Sequence, residues 1–212
     1  MKMREARTIA CRSKNRERGF SMLELALVCA LALIMMAISI IQLQPVWQQL
    51  QANAAMGQVK SVLRQARETA ISQRRGVAVQ FAGTNTINLY LWQVSIPAGG
   101  GNPIQTIATT PFLSVPLYSN VQFITFAGEP DTPDAFGIPA AGGIEFGGTA
   151  GVPTGGVAFR SDGTLTDVNT APINGTVFIG LPGNPVTSRA VTILGNTGRV
   201  RAYQGTGTGW LQ

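Results

Sequence analysis

The side chains available for chemistry are few. The 212-residue chain contains no histidine and only two cysteines, Cys11 and Cys29. Histidine is the commonest general base and the commonest metal ligand, so the sequence lacks the residue that most often serves in acid–base catalysis and in zinc binding. No cysteine follows Cys29, so no intrachain disulfide can form in the rest of the chain. We therefore expect a protein that is not an enzyme and that has no cofactor.

Arginines near the C-terminus form the clearest binding pattern. In the stretch NTGRVRAY, residues 196–203, Gly198 permits a tight turn, and Arg199 and Arg201 then point to one face of a strand. A guanidinium holds a phosphate group through two parallel hydrogen bonds. With Arg189 on the neighbouring strand as a further contributor, the pattern predicts a phosphate-binding surface.

A second basic set lies on a predicted helix. On a helical wheel the set falls within an arc of about 100°. Its members are Lys60, Arg64, Arg67, Arg74 and Arg75. This arc lies beside a predicted apolar face that contains Val59, Val62, Leu63, Ala66 and Ala70. The simpler interpretation is a solvated helix face, partly neutralised by an ion pair between Arg64 and Glu68. Arg74 and Arg75 are kept as further candidates for the phosphate-binding surface.

Carboxylates cluster in the acidic loop, residues 127–143, which contains EPDTPD. Glu129, Asp131 and Asp134 could together bind a hard cation such as calcium. The alternative is a solvated acidic loop, and this is the interpretation we adopt, so no metal site is predicted. Asp162, in SDG, is interpreted as a turn residue.

Charge is concentrated at the N-terminus. The net charge is +6, and residues 1–19 alone hold seven basic and two acidic side chains, which leaves +1 for the rest. The following 24 residues, 20–43, carry Glu24 as their only charge. A helix of this length can cross a hydrocarbon core of about 30 Å. A basic arm before such a helix predicts that the arm stays in the cytoplasm.

The start of this apolar segment resembles the prepilin-peptidase site of type IV pilins and type II secretion pseudopilins. The resemblance rests on the stretch GFSMLE, Gly19 to Glu24, between a basic leader and an apolar helix. It implies cleavage between Gly19 and Phe20 and N-methylation of Phe20. It also implies that Glu24 pairs with the N-terminus of an adjacent subunit during filament assembly.

Periodicity places these residues on elements. One helix is predicted over about residues 20–75, kinked at Pro45 and ended by Gly76. Strands are predicted at 77–81, at 87–92, twice within 112–126, and in four segments between 144 and 204, with a flexible tail after them. The expected fold class is α+β, with one long helix packed on an antiparallel sheet. The predicted divisions are a leader at 1–19, a membrane-spanning half of the helix at 20–43, an amphipathic half at 44–75 and a β-sheet domain at 76–212.

Residues 57–203 are similar to the GspH/FimT family of minor pilins and pseudopilins. The similarity rests on SQRRGVAV, VAFRSDGT and RAVTILGNTGRVRAY. It implies a minor type IV pilin in pilus assembly. Gly198, Arg199 and Arg201 match a Gly-Arg-x-Arg motif that contacts double-stranded DNA in FimT-like pilins.

The alternative within the same family is a GspH-like pseudopilin of a type II secretion system. The implied partners are other subunits, the prepilin peptidase, the inner membrane and DNA. The implied location is a single inner-membrane pass with a periplasmic C-terminal domain.

Overall fold

The protein is described from a computed structural model, which covers residues 21–95, 104–118, 120–139, 142–151, 156–167 and 171–212. Gly19 and Phe20 lie outside these residues, as does the basic arm before them. Contacts divide the chain into two units, Met1–Leu43 and Gln44–Gln212. The long helix α1, Met22–Gln73, contributes to both.

The part of α1 in the first unit is apolar and its described side chains are exposed. By length and composition α1 is the one helix among the described residues that could cross a membrane. Glu24 lies in its first turn, where a negative charge is favoured by the helix dipole. Pro45 lies inside α1, and the helix continues past it.

In the second unit α1 is amphipathic, as predicted. Its small and branched apolar residues recur every three or four positions, which places them on one side of the helix. The buried set is Ala52, Ala55, Val59, Val62, Leu63, Ala66 and Ala70. Leu50 and Ile71, which fit the same spacing, are exposed.

The helix ends differently from the prediction. Arg74, and not Gly76, adopts the left-handed conformation, with φ of 52°. The Arg75 N–H donates to the Ala70 carbonyl at 3.1 Å, which closes the last turn. Gly76 is required for space, because a Cβ there would lie 2.6 Å from the ring of Trp92.

Thirteen strands are found among the described residues. They are β1 Val77–Ala82, β2 Thr86–Ser95, β3 Ile104–Ile107, β4 Leu113–Pro116, β5 Gln122–Phe123, β6 Ile144–Phe146, β7 Thr149–Ala150, β8 Val157–Phe159, β9 Leu165–Thr166, β10 Gly175–Leu181, β11 Asn184–Leu194, β12 Arg199–Gly205 and β13 Trp210–Leu211. β3 lies between the strands predicted at 87–92 and within 112–126, where a loop was expected, and β13 lies in the predicted flexible tail.

The α+β class is confirmed, but the strands form two antiparallel sheets where one was expected. The first has the order β3-β2-β1-β8-β9, with β4 also on β2. The second has the order β13-β12-β11-β10-β6-β7, with β5 also on β10. All pairs between these strands are antiparallel.

The main core contains the apolar face of α1 and side chains from both sheets. Phe81 of the first sheet contacts Phe123 and Phe146 of the second, with ring centroids 5.4 and 5.9 Å apart. A smaller cluster contains Phe178, Ala190 and Tyr203, with Trp210 packed against it. This second cluster and the main core lie on opposite faces of the second sheet, because its strand residues alternate with those of the main core.

Candidate functional site

The β11–β12 hairpin presents Arg199 and Arg201 as the sequence predicts. Leu194 pairs with Arg199, and Thr192 with Arg201, so the two arginines project from the same face of β12. Gly198 closes the turn with φ of 60°, and its N–H donates to the Leu194 carbonyl at 2.7 Å. A Cβ at Gly198 would lie 2.1 Å from the Gly163 carbonyl oxygen, so this glycine also permits a close backbone approach.

Arg67 of α1 fixes this turn against the helix. Its Nε donates to the carbonyl oxygens of Gly163 at 3.2 Å and Thr197 at 3.1 Å. The carbonyls belong to two separate turns, β8–β9 and β11–β12. The β8–β9 turn is held by Asp162, which accepts hydrogen bonds from the Thr164 N–H and hydroxyl at 2.9 and 2.6 Å. This geometry confirms its turn role, and the same hydrogen bonds lower the pKa of Asp162.

The docked turn and the helix border a single cavity of about 610 Å³, which we call the basic groove. The groove brings part of the helical basic set together with Arg199 and Arg201 of the hairpin. Its lining residues are Lys60, Arg64, Arg67 and Glu68 of α1, Thr197 to Ala202, and Gln212. Five of these side chains are basic and one is acidic, so the groove is suited to a polyanion. The expected ion pair between Arg64 and Glu68 is not formed.

Arg201 is partly engaged within the protein. Its guanidinium forms an ion pair with Asp134, and its side chain remains 35% exposed. Asp134 also accepts hydrogen bonds from Thr192 at 2.6 Å and from the Tyr203 hydroxyl at 2.9 Å. Burial, followed by the hydrogen bond to Asp134, raises the pKa of Tyr203. Arg199 is exposed and has no carboxylate partner among the residues that the structure describes.

The three carboxylates of the acidic loop are half-buried and hydrogen-bonded within the protein, whereas the sequence predicted a solvated loop. Glu129 accepts hydrogen bonds from Ser188 and from the Phe126 N–H, and burial raises its pKa. Asp131 accepts from the N–H groups of Thr132 and Gly137 at 2.6 and 3.0 Å. The three carboxylates thus have different partners. No group of three metal-ligating side chains occurs in the described part of the chain.

Arg189 does not belong to the surface, which corrects its expected contribution. It is fully buried, and its partner on β12 is Gln204 and not an arginine. Its Nε donates to the Asn53 side chain at 2.7 Å, and its Nη1 donates to the carbonyls of Ser188 at 2.6 Å and Val186 at 3.2 Å. Burial lowers the pKa of Arg189. Arg189 therefore joins α1 to β11.

Arg74 and Arg75 are exposed at the end of α1 and do not line the basic groove. Of the basic residues on the helix, Lys60, Arg64 and Arg67 therefore line the groove, whereas Arg74 and Arg75 do not. The pairing of Glu24 with the N-terminus of an adjacent subunit stays a prediction.

A scan against protein-family models gives no match, and a search of curated proteins gives no significant match. Among solved structures, the chain is similar to the type IV minor pilin FimU of Pseudomonas aeruginosa, with a TM-score of 0.42 and 15% identity. That alignment covers 76% of this chain and 92% of FimU. The chain is also similar to the minor pseudopilin EpsH of the type 2 secretion system of Vibrio cholerae. That TM-score is 0.41 at 16% identity, and the alignment covers 73% of this chain and 97% of EpsH.

Proposed function

We propose that the chain is a minor type IV pilin of the FimT-like kind, which assembles with other pilin subunits and captures DNA in its basic groove. The assembly role is supported by the apolar part of α1 together with the sequence Gly19 to Glu24, which resembles a prepilin-peptidase site. In this proposal the peptidase cleaves between Gly19 and Phe20, and Phe20 is methylated. Glu24 offsets the positive N-terminus of a neighbouring subunit, which reduces the cost of a carboxylate in lipid.

Processing can be tested on the protein extracted from membranes. An intact mass that lacks residues 1–19 and includes one added methyl group is the expected result. A mass that retains residues 1–19 would refute the assembly role.

In this proposal the C-terminal domain lies in the periplasm, anchored by a single pass through the inner membrane.

The DNA-capture role rests on one observation, the convergence of Arg199 and Arg201 with Lys60 and Arg64 in one groove. Phosphates carry no base information, so binding is expected to be independent of sequence. It should also weaken as salt rises. Binding releases cations that are condensed on DNA, and this release is less favourable at a higher salt concentration.

A gel shift of the full chain in detergent with double-stranded DNA, at two salt concentrations, tests this role. The double variant Arg199→Ala/Arg201→Ala should lose binding, and Arg160→Ala is the matched control. Arg160 is an exposed arginine outside the groove lining. Equal binding by the wild type and the double variant would refute capture at this site.

A second candidate is a GspH-like pseudopilin of a type II secretion system, for which DNA is not a ligand. The ion pair between Arg201 and Asp134 favours it, because half of the arginine pair is already compensated within the protein. Wild-type protein that is processed but binds no DNA at low salt would support this candidate.

A further inference from the structure

One edge of the second sheet is incompletely paired. β12 pairs with β11 along Arg199 to Gln204. On its other side β13 reaches only Gln204 and Gly205. Within the described residues, Arg199 to Tyr203 therefore have no strand on that side. Such an edge presents unpaired backbone N–H and C=O groups, to which another chain can add a strand.

The free edge opens into the basic groove. Residues 199–202 of β12 line the groove, and Lys60 and Arg64 of α1 line it on the helix side. Val200 and Ala202 pack towards the main core, whereas Arg199 and Arg201 project from the other face of β12. A strand added here would thus have basic side chains beside both of its faces.

The charges of this edge select against a second copy of the same chain. Directly opposite residues on antiparallel strands have Cβ atoms about 5 Å apart, and like charges there are destabilising. Pairing of two β12 edges would bring Arg199 and Arg201 of one copy close to those of the other. A strand with carboxylates two residues apart would instead place an opposite charge beside each arginine.

We propose that the free edge of β12 accepts an extended acidic segment of another protein chain as an added antiparallel strand. Its carboxylates at alternate positions lie opposite Arg199, which has no carboxylate partner among the described residues, and Arg201, which the added strand shares with Asp134. Its other face meets Lys60 and Arg64. This interaction does not depend on DNA capture. It would exclude DNA from the groove, because both ligands use Arg199.

The test measures binding of a fluorescent peptide to the full chain in detergent by anisotropy. The probe is a short peptide of alternating glutamate and valine. One control is the same peptide with alternate backbone nitrogens methylated, which keeps the charges but removes backbone donors. The other control is a peptide of the same composition with its glutamates adjacent to one another.

The alternating peptide should bind best, and N-methylation should weaken its binding about tenfold or more, since at least two backbone hydrogen bonds are lost. Arg199→Glu should abolish binding, whereas Arg160→Glu should not. Equal binding of the methylated peptide, or no binding of any peptide, would overturn the proposal.

Double-stranded DNA added to the bound peptide separates this proposal from DNA capture. Displacement of the peptide is expected if both proposals are correct. Peptide binding in the absence of any DNA binding would leave the strand-addition proposal standing and refute DNA capture. DNA binding without displacement would refute the shared use of Arg199.

Discussion

Asp134 of the acidic loop forms an ion pair with Arg201 of β12, and the same carboxylate accepts hydrogen bonds from Thr192 and Tyr203. One side chain therefore joins the loop to two adjacent strands and also compensates a charge at the basic groove.

Replacing Asp134 by asparagine should strengthen DNA binding about two- to fivefold, the range expected for one partly screened charge pair. The same change should lower the free energy of unfolding by about 1–3 kcal/mol, because charge-assisted hydrogen bonds are lost. Asp131→Asn is the control, since it makes the same charge change in the same loop but Asp131 does not contact Arg201. An equal gain in both variants would show that only net charge matters.

Replacing Gly198 by alanine should destabilise the protein more than the same change at Gly83. Both glycines have φ of 60°, but a Cβ at Gly83 meets nothing within 4 Å. Gly83→Ala should cost only the left-handed conformation, about 1–2 kcal/mol. Gly198→Ala should cost about 1–3 kcal/mol more, because its Cβ clashes with the Gly163 carbonyl. Chemical denaturation of the two variants measures the difference, and equal losses would contradict this close approach.

Arg189→Ala should reduce stability by about 2–5 kcal/mol, since it removes a buried side chain and leaves Asn53 and two carbonyls without their donor. The exposed Arg199→Ala should change stability by less than about 0.5 kcal/mol. The effects on DNA binding should be reversed: Arg199→Ala should lower the affinity of the folded protein for DNA, whereas folded Arg189→Ala should keep it. A loss of affinity in folded Arg189→Ala would contradict its internal role.

Glu145 gives a prediction for pH. Its side chain is buried, and desolvation, followed by the charge of Asp131, raises its pKa above the ordinary value of 4.5. The folded state therefore binds the proton more tightly than the unfolded state, so this group gains stability as pH falls through the raised pKa towards 4.5. Glu145→Gln should be more stable than wild type at neutral pH, and that advantage should shrink at acidic pH. Melting curves at several pH values measure this, with the exposed Glu68→Gln as control.

Local pattern was sufficient for several features. The apolar spacing of α1 predicted Val59, Val62, Leu63, Ala66 and Ala70 as its buried face, and all five are buried. The turn signals SDG and NTG predicted both hairpins, since glycine and aspartate have intrinsic turn preferences. The position of Arg189 could also have been predicted. It lies two and four residues before the core residues Val191 and Ile193, and alternate residues of a strand share one face, which indicates that Arg189 faces the core.

Long-range contacts were not predictable in this way. Arg67 and Thr197 are 130 residues apart, and Asp134 and Arg201 are 67 residues apart. Neither contact leaves a periodic trace, because each depends on how two sheets and a helix pack. For the same reason the two basic sets appeared separate in the sequence, and the hydrogen bonds of the acidic loop were not predicted.

The salt dependence of DNA affinity tests the central claim most directly, namely that helix and hairpin form one polyanion groove. The slope of log affinity against log salt falls by about one for each phosphate contact removed. Lys60→Ala/Arg64→Ala and Arg199→Ala/Arg201→Ala should therefore each show a shallower slope than wild type, while Arg160→Ala keeps the wild-type slope. An unchanged slope in the Lys60/Arg64 variant, with loss only in the hairpin variant, would contradict the composite groove.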